Sequence, residues 1–356
     1  MTHIVKETIS PHWTYAYSLY VAARIAGIKY YTIYSNIYLE NCVLHEGLRD
    51  RVIRLGPEGL PPKLETFLTE MSERTTHPEV ARRFMKKGAR PGSLLRNIAA
   101  RIHRGLIAGR TLGGHARTDM RSRRLSAFQY AKGVTVRSAR NYFKFGQLRR
   151  QYRSLCSAPE PTPDERGRSI VFYAHLQPEA STAPLAFHYH DARVAVRELI
   201  ERGFAVYFKE HPISFLPTIH HNLSLTPDYR PATYYRDLAE MGCKFLETDV
   251  DNESLLETFD FAATCTGTIC MQAAAKGKWT IAFGATWFGG MPGLEDARDG
   301  LKAGPAELAM RSSPTLPELF EYFRKTHGLG LPTGKAPQER LRLFKSVAHI
   351  VSEQRP

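Results

Sequence analysis

Cysteine is scarce in this chain of 356 residues. There are five, Cys42, Cys156, Cys243, Cys265 and Cys270, an odd number, widely scattered and with no Cys-x-x-Cys pair. That argues against a disulfide framework and a thiolate zinc site, and it points to reduced thiols in a cytoplasm. No apolar run approaches the roughly 20 residues that span a bilayer. The opening MTHIVKETISPHW has no apolar core behind a basic start, so it does not read as a signal peptide. Internal repeats and low-complexity tracts are missing. So are the Gly-x-Gly-x-x-Gly of a dinucleotide fold and the Gly-Lys-Ser/Thr of a P-loop.

Acidic residues are missing from one long stretch. Between Arg74 and Arg153 there are 21 Lys/Arg and only two acids, Glu79 and Asp119. The remainder holds 28 of the 49 basic residues and 33 of the 35 acidic ones, so the net charge of +14 belongs to this segment. Such a block seeks a polyanion: an anionic leaflet, a nucleic acid or a phosphorylated substrate. Within it Leu94, Leu95, Ile98, Ala99, Ile102 and Leu106 recur at helical steps, with Arg96, Arg101 and Arg104 mostly on another face. The pattern fits a basic amphipathic helix lying in a membrane interface, or a helix on its own core with a solvated cationic face. Phe128, Tyr130, Tyr142 and Phe143 also fall in the block, but no RNA- or DNA-binding motif frames them, so nucleic acid is not the expected partner.

What is present in ordinary amount is core: 43% hydrophobic and 24% charged residues, enough for about two domains. Residues 15–26 read as a helix ending near Gly27, and 28–34 as a strand. The Pro- and charge-rich run Ala158-Pro159-Glu160-Pro161-Thr162-Pro163-Asp164-Glu165-Arg166-Gly167 marks a linker. Beyond it strands and helices alternate. Strands are expected at 169–174, 205–209, 244–248, 261–265 and 280–283. Helices are expected at 191–202, 232–241, 253–258, capped by Asn252, and 268–276. Short apolar strands alternating with helices imply a parallel sheet covered on both faces, a doubly wound α/β fold. Ligands of such a sheet sit beyond the carboxyl ends of the strands. The residues there are His175–Glu179, Glu210-His211-Pro212, Thr266-Gly267-Thr268 and Gly284–Trp287.

Each set has a chemical reading and a plainer one. Thr266-Gly267-Thr268 joins a strand to a helix, where backbone N–H groups can face a phosphate, while Thr268 alone can cap the helix. His211, stiffened by Pro212, can donate to a phosphate oxygen or be tied to a loop carbonyl, and Lys209 and Glu210 stand beside it. Glu179, in the loop after Gln177 and Pro178, can serve as general base or nucleophile near a sugar carbon, or remain an exposed carboxylate. The His188/His190 and His220/His221 pairs lack acidic or cysteine partners at metal-site spacing, so no metal is expected.

The segments FYAHLQPEASTAP, FKEHP and TGTICMQAAAKGKWTIAFGATWF, in this order and spacing, resemble the capsule polysaccharide biosynthesis family, which includes Kdo-transferase-like enzymes of bacterial surface glycans. The likeness covers residues 169–290 well. It implies an α/β fold of GT-B architecture, with two Rossmann-like domains facing across a cleft. It assigns an acceptor-side domain to residues 1–157, with the basic helical region at about 74–153 inserted. A nucleotide-sugar-binding domain falls at 168–335, and a helix at 336–356 packs back on the first domain. On this likeness Gln177-Pro178 and His211-Pro212 are the family's QP and HP motifs, and Thr266, Gly267 and Thr268 its nucleotide loop. Gln272 stands where the family commonly carries Glu, and would meet a ribose hydroxyl without the charge. Pro11-His12-Trp13 resembles a mid-domain segment, so a shortened first domain is expected. The function implied is a glycosyltransferase, peripheral on the inner membrane face. It would move a sugar from a nucleotide-sugar, CMP-Kdo-like, to a capsule or lipopolysaccharide glycan or lipid-linked acceptor. Glu179 and His211 would be catalytic, Lys209, Glu210 and the loops would bind the donor, and no cofactor is needed. The alternatives are a nucleotide-sugar epimerase on a similar fold and a non-catalytic capsule assembly or export-associated binding protein.

Overall fold

The computed structural model describes residues 3–8, 14–36, 41–53, 64–73, 144, 146–157, 160–177, 182, 185–212, 214–215, 229–326 and four of 345–352. The amphipathic segment 94–106, nearly all of the basic block, Pro178, Glu179, His220, His221 and most of the C-terminal helix lie outside the described residues.

The N-terminal part builds a four-stranded sheet, β1 (His3–Thr8), β2 (Lys29–Asn36), β3 (Asn41–Glu46) and β4 (Arg51–Val52), in that order. Helix α1 (Thr14–Ile25) connects β1 to β2, which run parallel, while β2–β3 and β3–β4 are antiparallel. Gly27, where the helix was expected to stop, takes φ +66°, a left-handed turn that glycine adopts without strain. This sheet is thus mixed rather than uniformly parallel. Helix α2 (Leu64–Glu73) follows.

The second sheet has six strands, all parallel: β5 (Ser169–Tyr173), β6 (Ala205–Lys209), β7 (Lys244–Leu246), β8 (Phe261–Thr264), β9 (Thr280–Ala282) and β10 (Leu294–Asp296). Their spatial order is β10-β9-β8-β5-β6-β7. Counted from β5, that is 3-2-1-4-5-6, the order of a Rossmann-like sheet. The chain winds outward from β5 through β6 to β7, then returns to the other side of β5 and winds out again. The order therefore reverses between β5 and β8.

Helices cover both faces, as the short apolar strands demand. On one face α3 (Ala192–Glu201) and α4 (Tyr234–Glu240) bury Ala195, Val196, Leu199, Tyr234, Tyr235 and Leu238 against Ile170, Phe172, Val206 and Phe208. On the other, α5 (Asn252–Thr258) and α6 (Ile269–Ala275) bury Leu255, Leu256, Ile269 and Ala273 against Val171, Tyr173, Tyr207 and Ala262. The alternation of strand residues between the two sets is the period-two geometry of a pleated strand. Two further helices, α7 (Pro305–Ala309) and α8 (Leu316–Thr326), close the unit.

Three expectations are refined. The cap of α5 is Asp251, whose carboxylate accepts from the backbone N–H of Glu253 and Ser254, and Asn252 is the first helical residue. The Pro-rich stretch is pinned where it is described. Glu165, in the short 3-10 turn Pro163–Glu165, is buried, accepts from the Tyr207 hydroxyl at 2.8 Å and pairs with the Lys244 ammonium at 2.7 Å. The helical residues 146–155, before the expected boundary at 157, place Leu148 and Tyr152 in the core of the large sheet. The Tyr152 hydroxyl donates to the Leu246 carbonyl at 2.5 Å and accepts from the Glu210 N–H at 2.9 Å.

The two sheets are joined by apolar contact. Helix α2 presents Leu64, Phe67, Leu68 and Met71 to Met271, Trp287, Tyr322 and Phe323 of the larger unit. Tyr20, Tyr30 and Leu48 of the first sheet pack on Leu185 and Ala285, which lie in loops at the carboxyl edge of the large sheet. Arg49 stacks on Tyr34, its guanidinium carbon 4.4 Å from the ring centroid, and Tyr34 stacks on Trp287. The smaller sheet therefore reaches the larger one at the edge where its ligands are expected.

Candidate functional site

Because all six strands run the same way, the loops after β5, β6, β8 and β9 leave from one edge. The reversal of strand order between β5 and β8 opens the place where two neighbouring loops part in opposite directions. His175, two residues beyond β5, and the Thr266–Thr268 turn, just beyond β8, meet there. The Thr266 backbone N–H donates to His175 Nε2 at 3.1 Å. The turn is tight. A Cβ built on Gly267 would stand 2.9 Å from Thr264 Oγ1 and 3.5 Å from His175 Nε2. Thr264 Oγ1 in turn donates to the Tyr173 carbonyl at 2.9 Å, tying β8 to β5 at this level. The Thr268 hydroxyl does not cap α6.

On the other side of β5, the β6 loop carries Lys209, Glu210, His211 and Pro212. Strand alternation sends the first two to opposite faces. Lys209 goes to the α5 face, where it is 4% exposed and its ammonium donates to Asn252 Oδ1 at 2.7 Å. Burial pushes its pKa down to about 8, against the partial support of Asp251 and Asp249. Glu210 goes to the α4 face and is fully buried. There it accepts from Tyr235 Oη at 2.7 Å, Ser214 Oγ at 3.2 Å, the His211 backbone N–H at 3.0 Å and the Arg230 guanidinium at 3.1 Å. Burial alone would raise its pKa, but the Arg230 charge and these bonds hold it below the ordinary glutamate value. His211 and Pro212 follow, both half-buried.

Arg230 is the residue that sequence reasoning missed. Its side chain is 2% exposed, and it ties two of the loops together. Besides Glu210 it donates to Gln177 Oε1 and to the His175 carbonyl, and it lies over the Tyr234 ring at 4.6 Å. Gln177 completes the lattice by donating through Nε2 to the His190 carbonyl. Gln177 and Glu210, singled out separately in the sequence, are thus brought together by an arginine 20 residues downstream of the second. Their side chains are turned inward and engaged with protein. A signal existed only in hindsight: an arginine set among Tyr229, Tyr234 and Tyr235.

Gln272, on α6, is 7% exposed, and its Oε1 accepts no hydrogen bond. His188 and His190 are exposed, and His190 Nδ1 lies 2.6 Å from the Phe187 carbonyl. Among the described residues no group of three or more His, Cys, Asp or Glu side chains is arranged to hold a metal ion. Among the same residues no helix is long and apolar enough to cross a membrane.

The fold and the edge together define a mixed α/β protein with a parallel, Rossmann-like six-stranded sheet whose polar loop residues gather at its switch point. Comparison with known proteins adds the following. No family model matches the chain, and no curated protein matches it by sequence. Solved structures resemble it, among them two transferases. One is Thermosulfurimonas dismutans KpsC, beta Kdo 2,7 transferase, at 14% identity and a TM-score of 0.34, covering 74% of this chain and 68% of that one. The other is Thermosulfurimonas dismutans KpsC, beta Kdo 2,4 transferase, at 13% identity and a TM-score of 0.28, covering 90% of this chain and 79% of that one.

Proposed function

We propose that this chain is a glycosyltransferase, moving a sugar from a nucleotide-sugar donor, CMP-Kdo-like, to a capsule or lipopolysaccharide glycan. The observation that carries the reading is the meeting of His175 with the Thr266–Thr268 turn at the switch point of the large sheet, with the His211-Pro212 loop leaving from the other side of the same strand. The three motifs that resemble the capsule family therefore share one edge, which is what a single donor site requires.

In this reading residues 168–335 hold the donor, and residues 1–157 face it as the acceptor side of a GT-B pair, with the helix at 336–356 returning to the first domain. The backbone N–H groups of Gly267 and Thr268 and the His211 imidazole take the donor phosphate and stabilise its charge as the glycosidic bond breaks, while the Thr266 N–H stays on His175. Lys209, buried beneath the same edge with its ammonium on Asn252, adds a positive charge. Its lowered pKa makes that contribution strongest below about pH 8. Gln177 and Glu210 act through Arg230, holding the β5 and β6 loops at a fixed separation. Glu179 is the carboxylate beside the reacting carbon, as nucleophile or base. Gln272 accepts from a ribose hydroxyl. The basic block at 74–153 holds the enzyme on the anionic cytoplasmic leaflet or grips an anionic acceptor.

Calorimetric titration with CMP, UDP and their sugar conjugates tests this. Binding by the wild type that is lost in His211→Ala supports the donor site. Product formed from donor alone, with no acceptor, would mark an epimerase instead. Failure of the wild type to bind any nucleotide would sink the reading.

A further inference from the structure

Among the described non-glycine residues, Phe187 alone has a positive φ, at +47°. A side chain with a Cβ is strained in that region, and asparagine or glycine is the usual occupant. The ring is nevertheless 45% exposed, and among the described residues it stacks on no other aromatic side chain and joins no apolar cluster. Packing among the described residues therefore does not explain why an aromatic residue is held there. Such strain persists only where the surroundings over-determine it, and it collects at ligand sites.

The surroundings are on the page. Before Phe187, Leu185 accepts through its carbonyl from the Ala285 N–H at 2.8 Å. Ala186 is so close to the β9 loop that a Cβ built on Gly284 would stand 3.0 Å from its Cα. After Phe187, Tyr189 is buried with its hydroxyl on Glu198 Oε1 at 2.8 Å, and His190 receives the Gln177 amide on its carbonyl. The His190 ring meets the Phe187 carbonyl itself. The backbone on either side is pinned, and the ring is left standing at the carboxyl edge. The same hypothetical Gly284 Cβ would stand 2.6 Å from Thr266 Cγ2, so the segment bearing Phe187 abuts the turn assigned above to the donor phosphate.

We infer that Phe187 is the platform on which the nucleobase of the donor stacks, a binding residue for the nucleoside rather than for its phosphate or its sugar. The inference rests on the nucleotide-sugar reading. An aromatic side chain accepts the face of any base, so Phe187 supplies affinity while hydrogen bonds elsewhere choose the base. The backbone is bent to hold the ring, and so the substitution that relieves the bend should also remove the function.

The test uses the full chain. Dissociation constants for CMP, UDP and ribose 5-phosphate are measured for the wild type, Phe187→Ala, Phe187→Trp and Phe187→Gly, with melting temperatures alongside. For whichever nucleotide the wild type binds, Phe187→Ala should weaken binding about tenfold or more, the usual worth of one base–aromatic stack. Phe187→Trp should keep it, and the affinity for ribose 5-phosphate, which has no base, should stay unchanged. Phe187→Gly should lose nucleotide affinity while melting at or above the wild-type temperature, because glycine takes positive φ freely. A ring with a purely structural role would lower both together. Unchanged nucleotide affinity in Phe187→Ala overturns the inference and leaves the donor site intact. So does a variant that keeps nucleotide affinity but raises KM for the glycan acceptor. A wild type that binds no nucleotide overturns both this inference and the reading beneath it.

Discussion

Arg230→Met is the sharpest perturbation of the loop edge. The substitution keeps an unbranched stem of similar reach and removes the charge with its donors. Lost are two contacts to Glu210, at 3.1 and 3.3 Å, the bond to Gln177, and the bond to the His175 carbonyl at 3.3 Å. Glu210 keeps Tyr235, Ser214 and the His211 N–H but no cation, in a site with no solvent exposure. Breaking a buried pair from one side costs about 3–5 kcal/mol, because the surviving charge is left uncompensated. At about 2–4 °C per kcal/mol for a unit of this size, the melting temperature should fall by about 6–20 °C. Glu210→Gln/Arg230→Met removes both charges and should recover part of that loss, giving a coupling of about 0.5–3 kcal/mol. The pH dependence adds a sign. In the wild type Glu210 titrates below the ordinary 4.5, so its contribution is complete above that value and is lost as pH falls through the folded pKa. In the variant burial acts without the Arg230 charge against it and raises the pKa relative to the wild type, so the gap from wild type should narrow as pH drops from 7 toward 4.5. Melting curves and urea titrations at pH 7 and pH 5 measure all of this. A loss below about 1 kcal/mol, strict additivity in the double variant, or a gap that does not narrow in acid would refute the account.

Two other outcomes are expected. Lys209, with a folded value of about 8 against an ordinary 10.5, holds fewer protons folded than unfolded between these limits, so stability should rise with pH from about 8 to 10, by at most about 1.4 kcal/mol per unit. Above 10 the buried tyrosines Tyr234 and Tyr235, both held protonated by burial, act in the opposite sense. Lys209→Met should flatten the rise, and an equal slope in wild type and variant would remove the burial argument. Gly284→Ala forces a methyl to within 2.6 Å of Thr266 Cγ2 and 3.0 Å of the Ala186 Cα. Overpacking of this kind costs about 1–3 kcal/mol, so thermal unfolding should come earlier and nucleotide affinity should drop as the 266 turn shifts. An unchanged melting temperature would show that the loops yield freely.

Much of the large sheet was legible because its signals are local. The segment Ala205–Lys209 reads as an apolar run between Gly203 and the His211-Pro212 exit, and it is a strand over those same five residues. Helix α3 stops where Gly203 supplies φ +91°. The errors at element ends also have local causes. Asp251 and Asn252 are both good caps, and only the β/extended backbone of Asp251 decided between them. The strand β3 escaped notice because NCVLHE mixes polar and apolar residues, and its place depends on pairing with β2.

The positions of the site loops along the chain follow from composition and periodicity alone: strands that must bury both faces end in polar or small residues, and those ends are where ligands of a parallel sheet collect. Which loops touch was decided in three dimensions. The return of the chain to the far side of β5 set His175 against Thr266, and the packing of α4 brought Arg230 under Glu210 and Gln177. Strand alternation separated Lys209 from Glu210, neighbours in sequence that serve opposite faces. Local propensity reaches a few residues, whereas a buried charge is matched by whatever cation the completed fold delivers to it. That is why the ends of the strands could be read from the residues and the arginine joining them could not.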